Sequence, residues 1–173
     1  MSTTKPTFDR GVSAGEGRTQ APLSRDALHG RALAMLARRE HSAGEIRDKL
    51  REMGGDASLI DAVIAELQVR NLQSDERFSE LFVRSRAERG YGPRVIEMAL
   101  RERGIDKASA HIALEASGYD WREQAVEVCQ RRFGQSPANS PKERARQLRF
   151  LQYRGFAGGE ISAALKGRLP EDD

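Results

Sequence analysis

The stretch Leu50-Arg51-Glu52-Met53-Gly54-Gly55-Asp56-Ala57-Ser58-Leu59-Ile60-Asp61-Ala62-Val63-Ile64 decides the fold, because it recurs. A leucine stands four residues before a glycine at Leu50/Gly54, Leu100/Gly104 and Leu151/Gly155, so the glycines are 50 and 51 residues apart. Six residues after each glycine an apolar residue follows (Ile60, Ala110, Ile161), and ten after it an aliphatic one (Ile64, Leu114, Leu165). The residue just after the glycine is Gly55, Ile105 or Phe156. A glycine at this place ends a helix in a left-handed cap, and the flanking apolar residues close on one small core. A 50-residue period made of helices means a tandem array of modules that lend each other stability.

Outward from these repeats the pattern stays helical. Ile46, Leu50 and Met53 fall at i, i+4, i+7, and Ile60, Val63, Ile64 and Leu67 at i, i+3, i+4, i+7. Phe78, Leu81 and Phe82, then Ile96, Ala99 and Leu100, begin the same stripe. Alternating strand patterns are missing. Starts are signalled by Ser42 with Glu45, Asp120 with Glu123, Gly92-Pro93, and Ser140 with Pro141 and Glu143. Stops are signalled by Gly54-Gly55, Gly104, Gly118, Gly134 and Gly155. These predict helices over 24–39, 42–53, 57–70, 75–89, 93–103, 107–117, 121–133, 141–153 and 158–167. The fold class is all-α: three tandem three-helix repeats at 24–72, 73–119 and 120–169. Residues 1–23, rich in Gly, Pro, Ser and Thr without apolar periodicity, predict a disordered arm, and 170–173 an acidic tail.

Composition narrows the function. The net charge is +3, with 29 basic and 26 acidic residues in 173. Arginine dominates the basic set, 24 against 5 lysines. Its planar fork suits phosphates and carboxylates, although GC-rich coding also favours it. The excess lies in the C-terminal third, where 120–168 carries +5 before the acidic end. No apolar run nears the roughly 18–20 residues of a membrane span, and the first 25 residues lack a signal-peptide core. A single cysteine, Cys129, excludes a disulfide framework and reads as a small core residue. The expected setting is soluble and cytoplasmic.

Catalytic chemistry has no visible carrier. There is no phosphate-binding loop: Gly90 and Gly92 run into Pro93, which removes an amide donor. His29, His41 and His111 are not at metal-ligand spacing. No acid–base pair stands out among carboxylates interleaved with arginine. Neither an enzyme nor a cofactor is expected. Two basic sets are the candidate contacts. Arg131, Arg132, Lys142, Arg144, Arg146 and Arg149 are the densest cluster. Arg84, Arg86, Arg89 and Arg94 flank Tyr91. Both are either a partner surface or a solvated face, and Tyr91 either a lid on its module or a contact residue. His41 is expected to fix the turn between the first two helices. Trp121 should staple the second module to the third.

Several motifs in order resemble one family. Arg38-Arg39-Glu40-His41-Ser42 leads into the helix carrying Leu50, and Asp75-Glu76-Arg77-Phe78 opens the second unit. Gly90-Tyr91-Gly92-Pro93 precedes Ile96, and Arg131-Arg132-Phe133 closes the seventh helix. Arg149-Phe150-Leu151 and Arg154-Gly155-Phe156 mark the last unit. From about residue 27 to 167 this series resembles the bacterial regulatory protein RecX family. The chain departs from that pattern at Ala43-Gly44, where a basic residue often follows the serine. The resemblance implies a curved, elongated body of three three-helix repeats. It also implies a non-enzymatic modulator of the RecA recombinase in homologous recombination, DNA repair and the SOS response. Such a protein lies on the RecA–single-stranded DNA filament, limits its growth or promotes its disassembly, and lowers its ATPase and coprotease activities. A monomer is expected. The alternative is a direct, largely non-specific DNA-binding protein. Three helices with a Gly turn also describe a helix-turn-helix, but the helices it would place in the groove lead with Asp56, Asp106 and Glu160, which repel phosphates.

Overall fold

The computed structural model describes residues 23–136, 138 and 140–166. The expected N-terminal arm (except Leu23) and the acidic tail lie outside the described residues. Among those described there are nine helices and no strand: α1 (Arg25–Leu36), α2 (Ala43–Glu52), α3 (Ala57–Val69), α4 (Asp75–Glu88), α5 (Pro93–Arg101), α6 (Lys107–Ala116), α7 (Trp121–Phe133), α8 (Pro141–Arg154) and α9 (Gly158–Lys166). They form three modules, α1–α3, α4–α6 and α7–α9, each with its own core. The cores are thin, with nine, eight and eight buried apolar residues. Units this small rarely stand alone, so the joints between modules carry part of the stability.

The repeat in the sequence is a repeat in geometry. Gly54, Gly104 and Gly155 have φ of 84°, 83° and 92°. Each ends its helix with the same pair of hydrogen bonds. The glycine N–H donates to the carbonyl three residues back (Arg51, Arg101, Gln152; 2.9, 3.0 and 3.0 Å), and the next N–H donates to that of Leu50, Leu100 or Leu151 (3.0, 3.2 and 3.1 Å). This is the Schellman cap, whose left-handed residue favours glycine. The three leucines are fully buried, as are Ile60 and Ala110, with Ile161 5% exposed. Ile105 and Phe156 fill the core space just after the glycine. In the first module Leu28 and Ile60 fill it instead, and a Cβ on Gly55 would stand 2.8 Å from Leu28.

Helix starts follow their caps. Ser42 accepts from the Glu45 amide (3.0 Å), Ser140 from that of Glu143 (3.2 Å), and Asp120 from those of Arg122 and Glu123 (2.8 and 3.2 Å). Boundaries agree within two residues except at the end of α1, expected at 39 and found at Leu36. There the chain tightens, with Arg38 donating to the Met35 carbonyl at 3.1 Å. The early stop brings His41 and Ser42, both buried, down to the next module. His41 Nδ1 lies 3.0 Å from the Arg39 carbonyl and fixes this turn.

The two joints are built alike. At the first, the start of α2 meets the end of α5. Ser42 Oγ donates to the Arg103 carbonyl (2.7 Å), and the Ala43 amide donates to Asp75 Oδ1 (2.8 Å). Gln73 Nε2 donates to the His41 carbonyl (3.1 Å), Arg77 pairs with Glu40 (2.9 Å), and Arg103 with Glu45 (3.4 Å). Gly44 is required by this approach, since a Cβ there would stand 2.3 Å from the Arg103 carbonyl oxygen. At the second joint the start of α5 meets the end of α8: the Gly92 and Arg94 amides donate to the Arg154 and Gly155 carbonyls (2.7 and 3.1 Å). The second helices of the modules thus run head to tail, the amide end of one facing the carbonyl end of the next. This alignment also favours their dipoles.

Candidate nucleic-acid interface

The second joint assembles an arginine surface. Arg154, the last residue of α8, reaches across to module two, where its Nη1 donates to the Arg89 carbonyl at 3.0 Å. Its guanidinium lies between two rings, 5.1 Å from Tyr91 and 5.3 Å from Phe150. From Tyr91 the contacts continue into module two. Arg86 lies 5.6 Å from Tyr91 and 5.0 Å from Phe82, and Arg103 covers Phe82 at 4.8 Å. From Phe150 they continue into module three. Phe150 meets Phe133 edge-on at 5.3 Å, and Arg132 and Arg146 both lie 5.6 Å from Phe133. The result is a ladder of guanidinium groups and rings that crosses the joint, anchored by Phe82 against the buried Phe78 at 5.6 Å.

Each cation–ring contact stabilises by about 0.5–1 kcal/mol at an exposed site. Their larger consequence is order. A guanidinium held against a ring is partly ordered beforehand, and less side-chain entropy is lost when it meets a phosphate or carboxylate. Among the described residues Arg86, Arg89, Arg132, Arg146 and Arg154 have no carboxylate within ion-pair distance. Arg131 meets Glu127 only at 3.8 Å, with both side chains largely exposed. Arg89, Arg131, Arg132 and Arg154 line one hollow together with Gly90, Val128 and Phe150. Gly90 at φ 81° lets the chain pass Val128 there, where a Cβ would stand 3.1 Å from it.

The structure sorts the expected contact residues. Arg86, Arg89, Tyr91, Arg131, Arg132 and Arg146 come together at this joint. Lys142 and Arg149 are exposed on the α8 face that carries Arg146. Arg144 and Arg84 are exposed too. At 100° per residue, however, each points nearly half a turn away from its neighbours, Arg144 from Arg146 and Arg84 from Arg86. Arg94 serves the joint through its backbone, and its exposed side chain makes no ring contact among those found. Tyr91, half-buried against module two and between two arginines, is both lid and ladder rung. Trp121 packs on Tyr119 at 5.3 Å and on the module-two core from the first residue of α7, so it staples the two modules. Cys129 is fully buried in module three.

Sequence reasoning missed Arg103 and Arg154, which hold the two ends of the module-two part of the ladder. A signal existed: both stand just before the capping glycine, at one register of the 50-residue repeat. The first module has Met53 at that place.

A tandem three-helix repeat with a row of arginines and rings across its second joint defines an all-helical protein of three stacked modules. Three family models match the chain in order: RecX, first three-helix domain, at 30–67; second, at 74–114; and third, at 119–165. The chain is 42% identical over 147 residues to the regulatory protein RecX of Pseudomonas fluorescens, spanning 84% of this chain and 94% of that one. It is 38% identical over 155 residues to that of Halorhodospira halophila, spanning 90% and 96%. The crystal structure of RecX from Lactobacillus salivarius superposes with a TM-score of 0.71 at 23% identity, covering 82% of this chain and 94% of that one. The chain belongs to the RecX regulatory protein family, and its three-module helical array is that fold.

Proposed function

We propose that this chain is a non-catalytic modulator, mainly an inhibitor, of the RecA recombinase. It docks on the RecA–single-stranded DNA filament in the cytoplasm as a monomer, and it limits filament growth, ATP hydrolysis and coprotease activity. The observation that carries the reading is the arginine–aromatic ladder across the second joint, taken with membership of a family named for regulation. A filament of protein on single-stranded DNA presents both carboxylates and phosphates, and a row of pre-ordered guanidinium edges suits either. No helix among the described residues is long and apolar enough to cross a membrane.

Direct base reading by the third helix of each module is the weaker alternative. Their N-termini carry carboxylates: Asp56 and Asp106 cap α3 and α6, and Glu160 accepts from the Ala157 amide beside α9. Hydrogen bonds from Ser58 and Ser109 hold both aspartates below the usual carboxylate range, so they stay charged where a phosphate would approach.

The test is ATP hydrolysis by RecA on single-stranded DNA, titrated with this protein. Inhibition is expected, and replacing Arg86 and Arg154 together with Ala is expected to raise the half-inhibiting concentration roughly tenfold. Absence of inhibition, alongside salt-sensitive binding to bare DNA, would replace this reading with the DNA-binding one.

A further inference from the structure

The outer face of α8 carries a row that extends beyond the ladder. Lys142, Arg146, Arg149 and Tyr153 follow at intervals of four, three and four residues, so at 100° per residue they lie within a sector of about 60°. All four are exposed, and Tyr153 keeps 81% of its surface in solvent. Gln147 and Leu151, on the opposite side of the helix, are buried. Apolar residues scattered singly on a surface need no explanation, and Val69 and Ile112 are exposed in that way. Tyr153 differs, since it ends a row of three cations one turn from Arg149 and sits on a rigid helix rather than a loop.

Charge and ring together select the partner. Cations at spacings of one helical turn, about 5–6 Å, can follow successive phosphates of an extended single strand. An exposed ring at the end of the row offers a face to an unpaired base. A duplex satisfies only half of this, because its bases are stacked inside. An acidic protein surface engages cations and packs on a ring as well, and the experiment below separates the two. We infer that this face of α8 is a single-stranded nucleic-acid site, with Lys142, Arg146 and Arg149 on the phosphates and Tyr153 stacked on a base. The inference rests on the reading that the chain meets single-stranded DNA, and it assigns that contact to particular side chains. Arg146 belongs to both the row and the ladder, so a strand that leaves Tyr153 along the row passes beside Phe133.

The experiment uses the full chain without recombinase, so its outcome is read separately from filament inhibition. Fluorescence anisotropy measures binding to oligo(dT), to an abasic oligonucleotide of equal length, and to a duplex. Tyr153→Ala is expected to weaken oligo(dT) binding about tenfold and to leave abasic binding unchanged, with Tyr153→Phe restoring the affinity. Replacing Arg146 and Arg149 with Ala is expected to lower the salt slope by about 1.4 on both single strands, at ~0.7 per phosphate lost. Equal weakening on oligo(dT) and abasic strands, or none on either, overturns the stacking role. An unchanged salt slope overturns the phosphate contacts. Loss of filament co-sedimentation by Tyr153→Ala with oligonucleotide binding intact would make this face a protein contact instead. Circular dichroism of each variant shows that the helices persist.

Discussion

Replacing Gly44 with Ala tests how the modules are joined. Gly44 is the second residue of α2. In a helix, Gly→Ala ordinarily stabilises by up to about 1 kcal/mol, and Gly30 in α1, with nothing within 4 Å of its Cβ position, is expected to behave so. At Gly44 the new Cβ would stand 2.3 Å from the Arg103 oxygen, 2.9 Å from its carbon and 3.1 Å from Gly104 Cα. All three are backbone atoms, so no side-chain rotation relieves the contact. The ends of α2 and α5 must part by roughly 1 Å to reach ordinary C···O separations of about 3.3 Å or more. That movement stretches the 2.7 Å Ser42–Arg103 hydrogen bond and the Glu45–Arg103 pair. Overpacking costs about 1–3 kcal/mol and the lost hydrogen bond about 1 kcal/mol more. After the helix-propensity gain, a net loss of about 2 kcal/mol remains, lowering Tm by roughly 4–8 °C for a chain of this size. The assay is thermal unfolding of both variants, with amide exchange to locate the change at Ala43–Ile46 and Arg103–Ile105. If Gly44→Ala stabilises as Gly30→Ala does, the close joint is refuted.

Two further outcomes follow from the joints and the caps. Arg154→Ala removes the hydrogen bond to the Arg89 carbonyl and two ring contacts, so a loss of about 1–3 kcal/mol is expected in urea unfolding, along with faster exchange of the Gly92 and Arg94 amides; unchanged exchange would separate the side chain from the joint. Asp56 and Asp106 should titrate below the usual carboxylate range by carbon NMR, since Ser58 and Ser109 hydrogen bonds favour their charged forms. With native values depressed, the contribution of their charged forms is complete above the unfolded range near pH 4 and fades as pH falls through the native values, so the stability deficit of Asp56→Ala should shrink toward the acid end.

Most of the helices were legible because their signals are local. A serine or aspartate cap, a glycine in the left-handed region and a stripe at helical spacing act within one segment. The end of α1 was not legible, since no glycine marks it: what draws the chain out of the helix is Ser42 and His41 bonding to groups on module two, a contact 61 residues away for Ser42. The candidate site was half legible for the same reason. Arginine-rich stretches on α4, α7 and α8 can be seen in the sequence. Which arginines converge depends on helix phase and on the joint. Phase alone would have turned Arg84 and Arg144 away. Only the joint places Arg154 between Tyr91 of one module and Phe150 of another.

The motifs by which the chain resembles its family gain a physical reading from this. Glu40, His41, Ser42, Asp75 and Arg77 make the first joint, and Gly92, Arg94, Arg154 and Gly155 the second. They contribute little to the inside of any module. Their work is to fix where one module stands against the next. On the proposed reading that spacing is itself a recognition element, because contacts on modules two and three engage one partner together only while the joint holds them in place. The ladder makes the coupling explicit. Arg154 seals the second joint with one nitrogen and presents the rest of its guanidinium between two rings. When the joint opens, the hydrogen bond, the Tyr91 contact and the continuity of the surface are lost together. Formation of the site and docking of the modules are therefore one event, and a substitution that loosens the joint should weaken binding even though it touches no exposed arginine.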